Sequence, residues 1–374
     1  MKIGVAGAGL LGRLLALQLA RAGHEVHVFD PAADAQARGA AGWTAAGMLS
    51  PVAELECADA GVFALGVRSL ELWPAILAQL ELPVEFGREG SLLVAHRGDE
   101  GAAQRVLGLL EEKVQALDLR PRGDDGVGRG DDGAGRGLAG APRERQAEGR
   151  GESARILKLD PQQLRELEPS IRGPAHAWFL PGEGRIHTVQ AMQALAAGAR
   201  GVRWHWSRAI AEAHPGELRR SEGSHSFDHV FDVRGTGARP QLPVRGVRGE
   251  IFWLQAPGLE LRRPVRLLHP RHRVYLVPRA PGLVVVGASE IESEDRSPVS
   301  LRSTVELLAA AHSVVPELAE ARIVHSETNL RPALPDNLPL LQSQPGLTRI
   351  NGLFRHGWLI APALVERALE ELDP

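Results

Sequence analysis

The first thirty residues constrain this chain more than any other stretch. Lys2 to Ala6 is an apolar run that ends on Gly7, Gly9 and Gly12 in G-x-G-x-x-G spacing, and Leu14, Leu15, Leu17, Leu19 and Ala20 then recur as on a helix. Gly23 stops that helix, and Glu25 to Phe29 alternates as a second strand before Asp30. In such a strand-turn-helix-strand unit a pyrophosphate can reach backbone N–H groups at a helix N-terminus, an approach that side chains at these glycines would block. Gly7, Gly9, Leu10, Leu11 and Gly12 are therefore candidate dinucleotide contacts. Asp30, followed by Pro31, is placed to accept hydrogen bonds from ribose hydroxyls. With 42 glycines in the chain the bare triplet carries little weight; its weight comes from the strand before it, the helix after it and the acid beyond. The unit leaves NAD and FAD equally open.

At 374 residues the chain is long enough for two cores. A net charge of −3 gives no argument for a nucleic-acid or membrane partner. Only Lys2, Lys113 and Lys158 among the 43 basic residues are lysines, so a single arginine carries little evidential weight. The lone Cys57 excludes an intramolecular disulfide and a cysteine metal cluster, and no metal site is expected. The N-terminal apolar run is broken by glycines and Arg13, and no run of eighteen apolar residues occurs. A soluble, cytoplasmic protein is the expectation.

After Asp30, the segment Pro31 to Pro51 is rich in Ala and Gly without helical periodicity, as backbone passing close to something flat would be. If the first unit binds FAD, Ala45, Ala46, Gly47 and Met48 are placed against the flavin. Helical spacing follows over residues 58–82 and 100–117, with strands expected at 84–87 and 91–95. From Arg120 to Arg155 the only large aliphatics are Val127 and Leu138, which predicts a flexible, charged surface insertion with protein docking left open. Asp160 and Pro161 open a helix, Ala175 to Leu180 reads as a strand, and residues 189–199 as a helix. The strand 228–233 runs into a glycine turn at Gly235. Three closely spaced strands, 247–254, 274–278 and 283–287, suggest an antiparallel sheet. A helix over 301–314, a strand around 323–325 and a strand over 347–351 follow. The chain closes on a glycine turn and a terminal helix that again aims N–H groups at a ligand.

Taken in order, GAGLLG at 7–12, AAGML at 45–49, VYLVPR at 274–279 with VVVGAS at 284–289, NLRP at 329–332 and FRHGWLIAP at 354–362 resemble the glycine oxidase branch of the D-amino-acid oxidase family. The resemblance implies an α/β fold with an α+β second domain. A Rossmann-type FAD-binding domain is expected from residues 1–84, 158–242 and 324–374, and an antiparallel-sheet substrate domain from 85–157 and 243–323, with the insertion at 120–155. It implies noncovalent FAD, with Gly235, Arg355, His356, Gly357 and Trp358 joining the cofactor contacts. It also implies oxidation of a Cα–N bond in a small amino acid or amine such as glycine, sarcosine or a D-amino acid. Molecular oxygen would be the acceptor, and the imine could serve the thiazole of thiamine. Hydride transfer asks the protein to hold the substrate rather than supply an acid or base, and a carboxylate is best held by a guanidinium. Arg331 matches the family's carboxylate-binding arginine, Arg355 a second one close by, and Tyr275 the tyrosine on the same carboxylate.

Departures bear on the substrate. His356 and Trp358 replace an asparagine and a smaller aliphatic, Arg273 stands where histidine is usual, Glu290 fills a place often small, and Arg234 replaces an alanine. Two alternatives stay open: a D-amino-acid dehydrogenase with another electron acceptor, and a flavoprotein that matures a partner protein. Homo-oligomer formation is open as well.

Overall fold

The structure, a computed structural model, describes residues 1–118, 155–271 and 273–372. The insertion expected at 120–155 lies outside the described residues, apart from Arg155 at its end.

The opening unit folds as read. The strand Lys2–Ala6 buries Ile3 and Val5, the helix Leu10–Arg21 follows, and Glu25–Phe29 lies parallel to the first strand. These strands are central in a six-stranded sheet, continued by Arg203–His205 on one side and by His229–Asp232, Leu347–Asn351 and the antiparallel Leu340–Gln344 on the other. The helix is apolar nearly all round and is covered by the helices Thr188–Gly198 and Gly357–Glu370. Burial on that scale contributes roughly 25 cal/mol per Å² of apolar surface, which is what holds helices so poorly endowed with polar faces.

The helix Ala60–Leu77 is long and apolar enough, by length and composition, to cross a membrane. Here Leu65, Leu70 and Trp73 are buried, and Arg68 pairs with Glu366 of the terminal helix at 2.6 Å. Asp59 caps it by accepting the Val62 N–H at 2.9 Å.

The second sheet has eight strands. In spatial order they are Arg322–Ala333, Arg245–Gln255, Leu283–Gly287, Arg273–Pro278, Val265–Leu268, Ser91–Ala95, His176–Leu180 and Leu157–Leu159. All neighbours are antiparallel except Val265–Leu268 against Ser91–Ala95. Two stretches expected with the nucleotide-binding part hydrogen-bond here: 158–180, through its two strands, and residues 324–333 of Arg322–Ala333, a twelve-residue strand where only 323–325 was expected. Leu180 and Ala177 find their burial against Ser91–Ala95, a pairing across some eighty residues that no local pattern encodes. A small sheet of Met48–Leu49, Gly184–Ile186 and Phe86–Gly87, and a meander of Glu212–His214, Glu217–Arg220 and Gly223–Ser226, complete the strands.

Candidate active site

A cavity of about 740 Å³ opens between the two large sheets. Its walls bring together the candidate residues of the sequence reading except Gly12: Gly7, Gly9, Leu10 and Leu11, Asp30 and Pro31, Ala45 to Met48, Gly235, Tyr275, Arg331, and Arg355 to Trp358.

The glycine turn is built by close approach. A Cβ on Gly12 would lie 1.8 Å from the Gly7 carbonyl oxygen, so the helix can start there only without a side chain. Around Gly9 the nearest protein atom to such a Cβ is Ala40 Cβ at 3.7 Å, leaving the backbone open to the cavity. Asp30 accepts from the N–H groups of Ala8 at 2.6 Å and Ala32 at 2.8 Å, which fixes its carboxylate at the turn. Arg13 is a residue the pattern did not single out. It is buried in the first helix and donates to the carbonyls of Ala8, Met192 and Ala35, and burial pushes its guanidinium down to about 10.

The Ala45 to Met48 segment is held carbonyl by carbonyl. Thr188 Oγ1 donates to Ala45 O at 2.9 Å, Arg279 to Ala46 O, and the Ile186 N–H to Gly47 O at 2.8 Å. Gly47 has φ +70°, and a Cβ there would meet the Ile186 carbonyl oxygen at 2.1 Å. Because peptide units are planar, carbonyls so held turn the N–H groups of Ala46, Gly47 and Met48 away from those partners. These residues line the cavity and suit a flat ring bearing hydrogen-bond acceptors.

Arg331 and Tyr275 meet across the eight-stranded sheet. Two glycines make the room: a Cβ on Gly249 would lie 2.5 Å from Arg331 Nη2, and one on Gly287 would lie 2.8 Å from the Tyr275 ring. Arg331 donates to Ser289 O at 3.0 Å and to Arg248 O at 3.4 Å, and its charge acts on the nearby Tyr275 phenol. Among the described residues it makes no ion pair within 4 Å, and burial lowers its affinity for its proton. Asn329, two residues upstream, donates to Arg38 O, Ala40 O and Thr44 Oγ1, each at 3.1 Å, and so ties this strand to the segment before Ala45.

Arg355, the second arginine of the sequence reading, sits in an ion-pair network. Its Nε lies 3.1 Å from Glu54 Oε2 and its Nη1 3.3 Å from Glu290 Oε2. Glu54 also meets His356 Nε2 at 3.0 Å and Arg266 at 3.4 Å. Burial pushes the Glu54 carboxyl up, but Arg355, the His356 hydrogen bond and Arg266 together outweigh it and hold Glu54 well below the usual carboxylate range. Arg273 extends the network to Glu56 at 3.5 Å and Glu290 at 3.9 Å. Trp358 is chiefly a core residue, stacked on Trp73 at 5.6 Å with its Nε1 donating to Gly42 O. Arg234 is spent on Asp232 and on the carbonyls of Ile210 and Ala211.

Glu183, fully buried, also escaped the sequence reading. It accepts from the Ala53 N–H at 2.8 Å and from Ser91 Oγ, joining the residue before Glu54 to the eight-stranded sheet. Burial raises its carboxyl from 4.5 to about 7. A raised carboxyl stabilises the fold fully below about pH 4.5, and the contribution is lost as pH rises through about 7. Glu183→Gln cannot titrate. Relative to the native chain it is therefore expected to gain stability between pH 5 and pH 8, by up to about 3 kcal/mol. Thermal denaturation of both proteins at the two pH values checks this, and a pH-independent difference would contradict it.

A glycine turn at a helix start, a segment of upturned N–H groups and a half-buried guanidinium sharing one cavity define a dinucleotide-dependent oxidoreductase. The chain belongs to the family described as FAD dependent oxidoreductase, whose pattern matches residues 2–368, and FAD is its cofactor. It is 34% identical, over all of its length and 96% of the relative's, to a Rhizobium etli protein carrying the name thiamine biosynthesis oxidoreductase ThiO. In fold it is similar to glycine oxidase from Geobacillus kaustophilus, with a TM-score of 0.78 and 22% identity over 99% of this chain and 93% of that one. It is similar also to iminodiacetate oxidase from Chelativorans sp. BNC1, with a TM-score of 0.77 and 22% identity over 100% and 96%.

Proposed function

We propose that the chain oxidises the Cα–N bond of a small amino acid, glycine or sarcosine first, to an imine, with molecular oxygen as acceptor and hydrogen peroxide as second product. Arg331 carries this reading, as a half-buried guanidinium in the cavity with carbonyl partners and, among the described residues, no carboxylate within 4 Å. A substrate carboxylate supplies the missing anion, and Tyr275 adds a hydroxyl donor beside it. Burial raises the Tyr275 phenol, which keeps it a donor at neutral pH. FAD accepts the hydride when bound; the chain's own contribution is to orient Cα and exclude water. Arg355, held by Glu54 and Glu290, serves as a wall of the substrate space and leaves the clamping to Arg331. The similarity to the ThiO protein favours use of the imine in making the thiazole of thiamine.

Mixing the yellow protein with glycine, sarcosine or D-alanine without oxygen is expected to bleach the flavin band, and admitting air to restore it with hydrogen peroxide. No bleaching by any of the three would sink the small-amino-acid reading. Bleaching that air does not reverse would favour a dehydrogenase with another acceptor.

A further inference from the structure

Arg279 is 5% exposed, at the end of the strand Arg273–Pro278, and does not itself line the cavity. Its Nη2 donates to Ala46 O, its Nη1 to Pro278 O at 3.3 Å, and its Nε has no hydrogen-bond partner. Trp253 lies under it, 5.8 Å from guanidinium carbon to ring centre. Among the described residues no carboxylate pairs with it. The acid that faces it, Glu85, lies 3.7 Å from Arg185, a second cation beside Arg279. The remaining neighbours are Tyr275 and His187, and burial together with Arg279 pushes His187 down to about 4, so the imidazole stays neutral. Burial also lowers Arg279 itself to about 9. A buried charge kept without a counter-ion works against folding. Something other than stability accounts for it.

We infer that Arg279 is a positioning residue for the flavin: by holding the Ala46 carbonyl it fixes the peptide that presents the Gly47 N–H to the cofactor cavity. Thr188 and the Ile186 N–H hold the peptides on either side, but each is a neutral donor. Of the three donors Arg279 is the one that carries a positive charge, and with it a field that favours negative charge gained on reduction. The inference rests on FAD as cofactor and is independent of the substrate.

The test compares Arg279→Met, Arg279→Lys and the native protein, each stripped of FAD and titrated with it. Met removes the buried charge and keeps much of the volume, so the Tm of the FAD-free protein is expected to stay level or rise. The Kd for FAD is expected to rise about tenfold or more, and the flavin midpoint potential to become more negative. Lys, which keeps the charge, is expected to restore part of both. Arg279→Met with an FAD Kd within twofold of native and an unchanged potential would overturn the inference. So would a fall in FAD-free Tm with the FAD-induced increment in Tm intact, which is the signature of a packing role.

Discussion

Replacing Arg331 by methionine is expected to raise KM for glycine and sarcosine by two to three orders of magnitude, and KM for a simple amine without a carboxylate by less than about threefold. Truncating one partner of a buried, hydrogen-bonded charge pair costs roughly 3–5 kcal/mol, and each 1.4 kcal/mol is tenfold in affinity. The geometry explains the selectivity. The guanidinium is fixed by Ser289 O and Arg248 O, with no carboxylate among the described residues within 4 Å of it. Its strand is tied to the flavin-facing side through Asn329. Loss of Arg331 leaves the Glu54–Arg355–Glu290 network intact, since neither carboxylate contacts it within 4 Å, so the cavity wall survives. Steady-state kinetics on the two substrate classes check the prediction, and an equal rise for both would argue against a carboxylate clamp.

Replacing Gly12 by alanine is expected to give a colourless protein, with FAD affinity lost by a thousandfold or more and stability lowered by about 3 kcal/mol or more. The added Cβ would sit 1.8 Å from Gly7 O, a main-chain atom that cannot yield without opening the turn. Gly9→Ala separates folding from binding. Its Cβ would be 3.7 Å from Ala40 Cβ, ordinary contact, so the FAD-free protein keeps its Tm while the methyl intrudes on the ligand's approach. Flavin absorbance and thermal denaturation of the two variants decide it. A yellow Gly12→Ala protein of native stability would remove the turn from the cofactor site.

The opening unit was legible in detail because everything it needs is local. Lys2–Ala6, Leu10–Arg21 and Glu25–Phe29 carry their own periodicity, and Gly7, Gly9 and Gly12 sit within six residues of one another. Tyr275, Arg331 and Arg355 were legible only through resemblance; among so many arginines, residue type could not distinguish a clamp from a surface ion pair. Glu54, Arg279 and Glu183 were not legible at all. Arg279 and Ala46 are 233 residues apart and Glu54 and His356 are 302, and no period within a segment reports which distant carbonyl or carboxylate will answer a side chain. That 158–180 and 324–333 join the eight-stranded sheet was not legible for the same reason, since strand pairing in an antiparallel sheet is a long-range choice made by burial.

Hydrophobic periodicity and a three-glycine turn thus settle, within thirty residues, a strand, a tight turn, a helix and a second strand, because steric exclusion and backbone direction act between near neighbours. Tertiary packing settles the charges. It gives Arg355 to Glu54 and Glu290, leaves Arg331 with no carboxylate within 4 Å among the described residues, and buries Arg279 behind Ala46. Which guanidinium is free to take an anion depends on which acids the fold brings within about 4 Å of it, and that distance exists only once both sheets are closed around the cavity.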